Sequence, residues 1–213
     1  RINCSIEEIN SLFMQDKIII AGPCAAESEE QLMATANAIR SSYDGPLIFR
    51  AGVWKPRTNP NTFQGIGEQA LEWLQRIQQS MNIAVATEVA TASHVVQAIQ
   101  MGIDYLWIGA RTSANPIQVQ ALTDTIAQEL KKSPTHRLKG IMIKNPMHQD
   151  AALWLGNIER MEHLGIPIWA VHRGCGHLPA WEMAYTLHQS RPDIPLLIDP
   201  SHMSGDKESI APL

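Results

Sequence analysis

The stretch "LLIDPSH", residues 196–202, has the form of a strand from a parallel α/β sheet. Three apolar residues are followed directly by Asp199 and, three positions later, by His202. Parallel strands are buried on both faces and read as short apolar runs, and ligands bind at their carboxyl ends. The stretch therefore predicts a buried strand that delivers Asp199 and His202 to a functional site.

Six more apolar runs of this kind precede it at fairly even spacing. They are "KIIIAG" (17–22), "PLIFRAG" (46–52), "NIAVATEV" (82–89), "YLWIGAR" (105–111), "GIMIKN" (140–145) and "PIWAVHRG" (167–174). Helical periodicity fills the intervals, at 27–40, 67–79, 91–100, 116–131, 150–164 and 179–190. This alternation predicts an α/β fold, a (β/α)8 TIM barrel truncated before its eighth strand, and a doubly wound open sheet is the second choice.

The length and composition of the chain favour one domain. The 213 residues, 45% of them hydrophobic, suffice for a single core spanning residues 1–213. The strands lie within 17–213, and residues 1–16 form an N-terminal extension in which 5–13 are expected to be helical. The chain begins with Arg1 and ends within the repeating pattern, so we expect it to be a piece of a longer protein.

Several classes of protein are disfavoured by the same numbers. The net charge of -4 gives no overall basic field for nucleic acid. No apolar run approaches the ~20 residues of a membrane span, and the start lacks the pattern of a signal peptide. Cys4, Cys24 and Cys175 lie far apart and are odd in number, so they make no disulfide framework and predict a cytoplasmic location.

Cationic side chains follow most of the predicted strands. They are Lys55 and Arg57 after the second strand, Arg111 after the fourth, Lys144 at the end of the fifth and Arg173 after the sixth. So much positive charge at one edge of a sheet needs anions to neutralise it, and Arg and Lys are the residues that bind phosphate and carboxylate. The sequence therefore predicts a substrate set with two or more anionic groups.

The same strand ends carry a mixed set of soft and hard metal donors. Cys24, Glu88, Asp199 and His202 together suit Mn²⁺, Fe²⁺, Co²⁺ or Zn²⁺. Other interpretations stay open: Cys24 as a small buried apolar residue, and Glu88 as a carboxylate at a helix N-terminus. Lys144 is also the residue that a Schiff-base aldolase would use.

Seven motifs, taken together, resemble those of 3-deoxy-D-arabino-heptulosonate 7-phosphate (DAHP) synthases. They are "AGPCAAES" (21–28), "RAGVWKPRTNPNTFQGIG" (50–67), "TEV" (87–89), "WIGART" (107–112), "IKNP" (143–146), "VHRG" (171–174) and "IDPSH" (198–202). The resemblance is to the forms related to 3-deoxy-D-manno-octulosonate 8-phosphate synthase, some of which are fused to chorismate mutase. The stretch Lys-Pro-Arg-Thr at 55–58 matches the heptulosonate enzyme rather than the octulosonate enzyme.

The resemblance implies metal-dependent condensation of phosphoenolpyruvate with erythrose 4-phosphate, the first step of the shikimate pathway leading to chorismate and the aromatic amino acids. It implies that Lys55, Glu88 and His172 are catalytic and that Cys24 and His202 bind the divalent metal. The implied substrate-binding residues are Lys55, Arg57, Thr58, Ala110, Arg111, Lys144 and Arg173. Two further metal ligands of the family would follow residue 213, so we expect weak metal binding and little turnover from this chain.

The resemblance also raises expectations about assembly and leaves alternatives. A homo-oligomer is expected, with a chorismate mutase domain fused to or associated with the parent protein. The octulosonate synthase is the near alternative. A Schiff-base aldolase acting through Lys144, or a non-catalytic fragment that keeps only the phosphate pocket, would differ in chemistry.

Overall fold

The computed structural model describes residues 18–55, 59, 61–176 and 178–204, in which seven strands alternate with helices. The strands are β1 (Ile19–Ala21), β2 (Leu47–Arg50), β3 (Ala84–Val89), β4 (Tyr105–Ile108), β5 (Gly140–Lys144), β6 (Ile168–His172) and β7 (Leu196–Ile198). The helices are α1 (Glu29–Ser42), α2 (Glu68–Met81), α3 (Ala92–Gln100), α4 (Ala110–Ser113), α5 (Pro116–Lys132), α6 (Ala151–Met161), α7 (Trp181–Ser190) and α8 (Pro200–Met203). A 3₁₀ turn at Glu162–Leu164 follows α6.

These residues fall into two compact units. The amino-terminal unit comprises 18–107 and 124–140, and the carboxyl-terminal unit comprises 108–123 and 141–204. In the amino-terminal unit the strands follow chain order, β1-β2-β3-β4, and the pairs β1–β2 and β2–β3 are parallel. In the carboxyl-terminal unit the order is β5-β6-β7, again with parallel pairs. Each unit thus repeats the strand-helix-strand connection that the sequence predicts.

The cores of both units consist of apolar strand residues covered by helices. In β5, Ile141, Met142 and Ile143 are all buried, and in β2 so are Ile48 and Phe49. Both faces of these strands are buried, which is why their sequences read as continuous apolar runs and do not alternate. The end strands β1 and β7 are only partly buried.

Local capping explains where several helices begin. Ser28 accepts a hydrogen bond from the backbone of Gln31, Thr91 accepts one from His94, and Asp150 accepts one from Leu153. Each is an N-cap that satisfies a backbone donor left without a partner in the first turn. These caps set the first residue of α1, α3 and α6 close to the predicted starts.

The six predicted helices are confirmed, and two short ones were not predicted. The additional helices are α4 and α8, each of four residues. Four residues make barely one turn, too short for an apolar period to be recognised. Both follow a strand directly, and they place Arg111 and His202 on a helical turn at the strand end.

The search for membrane-spanning helices covered the described residues. Among them no helix is both long and apolar enough to cross a bilayer. The expected helix at 5–13 lies outside the described residues, as do Arg57 and Thr58.

Candidate active site

The predicted site residues that the structure describes lie at the carboxyl ends of strands. In the amino-terminal unit they are Cys24 after β1, Lys55 after β2 and Glu88, the second-last residue of β3. In the carboxyl-terminal unit they are Ala110 and Arg111 after β4, Lys144 at the end of β5, His172 and Arg173 at the end of β6 and His202 after β7. This is the edge at which parallel α/β sheets bind their ligands.

Lys55 and Cys24 are in direct contact. The Nζ of Lys55 donates a hydrogen bond to the carbonyl oxygen of Cys24 at 2.9 Å and lies 3.1 Å from its Sγ. Lys55 is buried, with 8% of its surface exposed, whereas Cys24 is exposed. A cysteine sulfur is a soft metal donor, and here the Lys55 amine lies directly beside it. The pair therefore joins a predicted catalytic residue to a predicted metal ligand.

Gly52 makes room for this contact. A Cβ at Gly52 would lie 2.8 Å from the Cys24 carbonyl oxygen and 3.3 Å from the Nζ of Lys55. Gly52 also accepts a hydrogen bond from the backbone of Ala26 at 3.0 Å. Any side chain at position 52 would push the loops after β1 and β2 apart.

A stacked pair of rings holds the residue next to Lys55. The rings of Trp54 and His94 are 4.1 Å apart and within 4° of parallel. The Nδ1 of His94 accepts a hydrogen bond from the backbone of Ala90 at 3.3 Å, so this nitrogen carries no proton. Burial lowers the pKa of His94, which favours the neutral ring that this contact requires. The pair links the end of β3 to the loop after β2.

Glu88 belongs to a small polar group that includes a residue the sequence reasoning missed. Trp107 donates its indole N–H to the Oε2 of Glu88 at 3.1 Å. The guanidinium of Arg50 lies 4.3 Å from the centre of the Trp107 ring, and its Nη1 contacts the carbonyl oxygen of Pro23 at 3.4 Å. Arg50 is a further cation at a strand end and a candidate for binding anions. The signal was present, since Arg50 interrupts the apolar run "PLIFRAG".

Arg111 and Ala110 open the short helix α4. Gly109 is the N-cap residue of this helix, and Arg111 is exposed. The other end of α4 is fixed by Asn157, whose Nδ2 donates to the carbonyl oxygen of the buried Ser113 at 2.7 Å. The turn that presents Arg111 is therefore anchored to α6 by a buried hydrogen bond.

Asp199 binds two predicted site residues at once in the carboxyl-terminal unit. Its Oδ2 accepts from the Nζ of Lys144 at 2.7 Å and lies 2.8 Å from the Nδ1 of His202. The side chains of Lys144 and Asp199 are only 13% and 16% exposed. Burial alone would raise the pKa of the Asp199 carboxyl, but the His202 hydrogen bond and the Lys144 charge outweigh it and hold the pKa well below its usual range.

The contact with Asp199 fixes the orientation of the His202 ring, as a carboxylate does for many metal-binding histidines. A histidine whose one nitrogen bonds a carboxylate presents its other nitrogen in a fixed direction. Here Asp199 takes Nδ1, which leaves Nε2 as the donor atom on a side chain that is 45% exposed. Asp199 therefore supports His202 and neutralises Lys144.

Arg173 is a buried cation with an unsatisfied atom. It is 9% exposed, and its Nη1 is buried without a hydrogen-bond partner among the described residues. A buried guanidinium without a counter-ion is costly, so the atom is suited to an anion that arrives from outside. The backbone of Arg173 is held by Asn145, a residue to which the sequence reasoning gave no role.

His172 is fully buried and holds the loop after β6. Its Nε2 donates to the carbonyl oxygen of Pro179 at 2.6 Å, and its ring centroid lies 6.1 Å from that of Trp154 and 5.6 Å from that of Trp181. Burial lowers the pKa of His172, the neighbouring Arg173 adds to this effect, and the bond to Pro179 opposes it. The neutral ring leaves Nδ1 unprotonated, without a partner among the described residues.

Metal donors are not gathered into one group within a unit. Among the residues that the structure describes, no set of three or more His, Cys, Asp or Glu side chains could hold an ion. The two predicted ligands, Cys24 and His202, belong to the amino-terminal and carboxyl-terminal units respectively. Their role as ligands stays a prediction.

Comparison with known sequences identifies the family. The profile of the DAHP synthetase I family matches residues 11–212. The chain belongs to this family. Family membership confirms the resemblance inferred from the seven motifs.

Both heptonate aldolases and octonate aldolases are similar to this chain in sequence. The phospho-2-dehydro-3-deoxyheptonate aldolase of Thermotoga maritima is 29% identical over 205 residues, which are 92% of this chain and 55% of that protein. A 2-dehydro-3-deoxyphosphooctonate aldolase of Wolinella succinogenes is 26% identical over 223 residues, covering 92% of this chain and 81% of that protein. The chain thus spans about half the length of its heptonate aldolase relative.

A solved structure of the family has the same fold. The crystal structure of the phospho-2-dehydro-3-deoxyheptonate aldolase (DAHP synthase) from Thermotoga maritima matches with a TM-score of 0.74 and 25% identity, covering 92% of this chain and 54% of that one. This likeness confirms the predicted fold class, an α/β barrel with parallel strands.

Proposed function

We propose that this chain carries the condensing activity of a DAHP synthase, joining phosphoenolpyruvate to erythrose 4-phosphate with release of phosphate. The observation that carries the proposal is the buried Arg173, whose Nη1 has no partner among the described residues. Lys144, at the end of the neighbouring strand β5, is nearly as buried. Membership of the DAHP synthetase I family supports the same activity.

Phosphoenolpyruvate fits the chemistry of this cationic group. It carries a phosphate and a carboxylate on one small rigid frame, and a guanidinium pairs with either group through two parallel hydrogen bonds. Arg173, Lys144 and Arg111 would bind these two groups in the carboxyl-terminal unit. Binding energy gained on the anions would hold the reactive double bond in one orientation.

The amino-terminal unit would act on the second substrate and on the water that is consumed. Arg57 and Thr58 would bind the phosphate of erythrose 4-phosphate. Lys55, held against Cys24, would act as a charge and proton donor at the aldehyde oxygen, which becomes a hydroxyl. Glu88, whose second oxygen accepts from Trp107, would position the water.

The bonds of the reaction balance without an oxidant or reductant. Carbon 3 of phosphoenolpyruvate forms a bond to the aldehyde carbon of erythrose 4-phosphate, and the aldehyde oxygen takes up a proton. Water adds its oxygen to the electron-poor carbon 2 and loses a proton towards Glu88. The bond between carbon 2 and the phosphate oxygen then breaks, and the proton of the new hydroxyl passes to the departing phosphate, giving the keto group and inorganic phosphate.

Cys24 in the amino-terminal unit and His202 in the carboxyl-terminal unit would each be available as a ligand of a divalent metal. The donor chemistry fits, since Lys55 lies against the sulfur and Asp199 fixes the imidazole so that Nε2 is available. When bound, Mn²⁺, Fe²⁺, Co²⁺ or Zn²⁺ would supply a Lewis acid for a carbonyl oxygen. A homo-oligomeric state, a chorismate mutase partner and a cytoplasmic location remain predictions of the sequence.

The octulosonate synthase is the second candidate, because octonate aldolases such as that of Wolinella succinogenes are also relatives. Its product has eight carbons, so its second substrate is an aldose phosphate of five carbons rather than four. The motif at 55–58 favours the four-carbon substrate. The Schiff-base alternative is disfavoured by the ion pair of Lys144 with Asp199, because a protonated amine is not a nucleophile.

The test is consumption of phosphoenolpyruvate by this chain with Mn²⁺ and either aldose phosphate. We expect a heptulosonate phosphate to form from erythrose 4-phosphate, with one phosphate released per phosphoenolpyruvate. Preference for the five-carbon sugar would overturn the assignment in favour of the second candidate. Consumption that persists in chelator, together with a covalent adduct of enzyme and substrate trapped by borohydride, would support the Schiff-base mechanism.

A further inference from the structure

We propose that Asn145 is a positioning residue that holds Arg173 in register with Lys144, so that both cations can bind one doubly anionic substrate. The inference rests on the proposed function, because it assumes that these cations bind phosphoenolpyruvate. It assigns a role to a residue that contacts no substrate itself. The argument comes from hydrogen bonds within the carboxyl-terminal unit.

Every polar group of the Asn145 side chain is used. Its Oδ1 accepts from the backbone N–H of Arg173 at 2.7 Å. Its Nδ2 donates to the carbonyl oxygens of Gly174 at 3.0 Å and Pro146 at 2.9 Å. Asn145 is fully buried, so water cannot replace these bonds if the side chain is removed.

The position of Asn145 in the chain makes these bonds informative. Asn145 directly follows Lys144, and its own backbone N–H donates to the carbonyl oxygen of Val171 in β6 at 3.0 Å. It thus extends the pairing of β5 with β6 by one residue. Its side chain then bonds the backbone of the two residues that follow β6, Arg173 and Gly174. One side chain therefore ties the Lys144 end of β5 to the backbone on both sides of the Arg173 Cα.

The backbone on either side of Arg173 is also held by other contacts. Gly174 has a φ of +71°, and a Cβ there would collide with the carbonyl oxygen of Leu178. Cys175 and Leu178 exchange backbone hydrogen bonds at 2.9 and 3.1 Å. On the other side, the carbonyl oxygen of His172 accepts from the backbone of Asp199 at 2.8 Å. Asn145 is the side chain that fixes the peptide between these two anchors.

A specific pattern of affinities follows from this geometry. Phosphoenolpyruvate has two anionic groups, and both contribute to its binding free energy only when Arg173 and Lys144 are correctly spaced. Inorganic phosphate is a single group that either cation can hold. Loss of register should therefore weaken phosphoenolpyruvate binding by at least about tenfold and phosphate binding by clearly less. A merely destabilising substitution would weaken both ligands alike, or neither.

The experiment measures the dissociation constants of phosphoenolpyruvate and inorganic phosphate by calorimetry for the wild-type chain, Asn145→Ala and Asn145→Asp. Asn145→Asp has nearly the same shape and can still accept from the Arg173 N–H, but its second oxygen faces two carbonyl oxygens. It serves as the test if Asn145→Ala does not fold. Ile158→Val is the matched control, since Ile158 is buried in α6 and its truncation should lower stability without touching a strand end.

The outcomes separate the two claims. The inference is supported if both Asn145 variants lose phosphoenolpyruvate affinity more than phosphate affinity while Ile158→Val keeps both. It is overturned if the wild-type chain binds phosphoenolpyruvate and the Asn145 variants bind it equally well, or lose both ligands in proportion to their melting temperature. If the wild-type chain binds neither ligand, the proposed function itself fails and this inference fails with it.

Discussion

Replacing Asp199 with Asn tests the charge arrangement at the end of β7. The carboxylate pairs with Lys144 at 2.7 Å and with His202 at 2.8 Å, and both Lys144 and Asp199 are largely buried. Removing one partner of a buried ion pair costs about 3–5 kcal/mol of unfolding free energy. Asn still accepts one hydrogen bond, and charged hydrogen bonds contribute about 1.5–3 kcal/mol each, so we expect a loss of roughly 2–3 kcal/mol at pH 7.

The assay is urea unfolding followed by circular dichroism, with Asp193→Asn as the matched control. Asp193 pairs with Arg191 through two short contacts, but its side chain is 61% exposed. Exposed pairs contribute little and are screened by salt, so the control should stay close to wild type. Equal losses in the two variants would refute the reasoning that burial makes the Asp199 pair important.

The pH dependence of this effect has a definite sign. The pKa of the Asp199 carboxyl is lowered in the folded protein, so its stabilisation is present above the unfolded value of about 4 and is lost as the pH falls through the folded pKa. The difference between wild type and Asp199→Asn should therefore be constant from pH 7 to about 5 and shrink in stronger acid. A difference that grew on acidification would contradict the assigned direction.

Three further predictions concern other buried groups. Burial lowers the pKa of His172, so its contribution to stability is present above about pH 6.5 and is lost towards lower pH. The unfolding free energy of His172→Gln, measured by urea titration, should therefore depend less on pH between about 6.5 and 5 than that of the wild type. Asp104 is fully buried; its Oδ2 accepts hydrogen bonds from Gln78 at 2.6 Å and from the Val85 backbone at 3.0 Å, and its Oδ1 forms an ion pair with Lys139 at 2.9 Å. Asp104→Ala should therefore lower the unfolding free energy by about 3–5 kcal/mol, and a loss below about 1 kcal/mol would contradict this.

Replacement of His94 belongs with these predictions. His94→Phe keeps a ring stacked on Trp54, whereas His94→Ala removes it and should displace the neighbouring Lys55 from Cys24. The alkylation rate of Cys24 should therefore differ from that of the wild type more in the alanine variant than in the phenylalanine variant. Equal rates in both variants would show that the stack does not position Lys55.

The strands and the longer helices could be predicted because local sequence determines them. The run at 196–198 is apolar and ends at Asp199, and Ser28 and Thr91 are recognisable N-caps at the starts of α1 and α3. The motifs identified the family in the same way, since they occur in family order. These features depend on a few neighbouring residues, which the sequence shows directly.

The contacts within the site could not be predicted because they join distant residues. Lys55 contacts Cys24 across 31 positions, and Asn145 bonds the Arg173 backbone across 28. Arg50 was overlooked because it ends an apolar run whose next cation, Lys55, already had a role. Spacing along the chain fixes which strand end a residue occupies, but not its partner.

Binding of phosphoenolpyruvate to the wild-type chain and to Arg173→Met, measured by calorimetry, tests the central claim most directly. Arg173 offers a buried Nη1 without a partner among the described residues, and an anion is the partner that its charge requires. The account predicts saturable binding to one site, competition by inorganic phosphate and a large loss of affinity in Arg173→Met. Absence of saturable binding, or unchanged affinity in the variant, would contradict it.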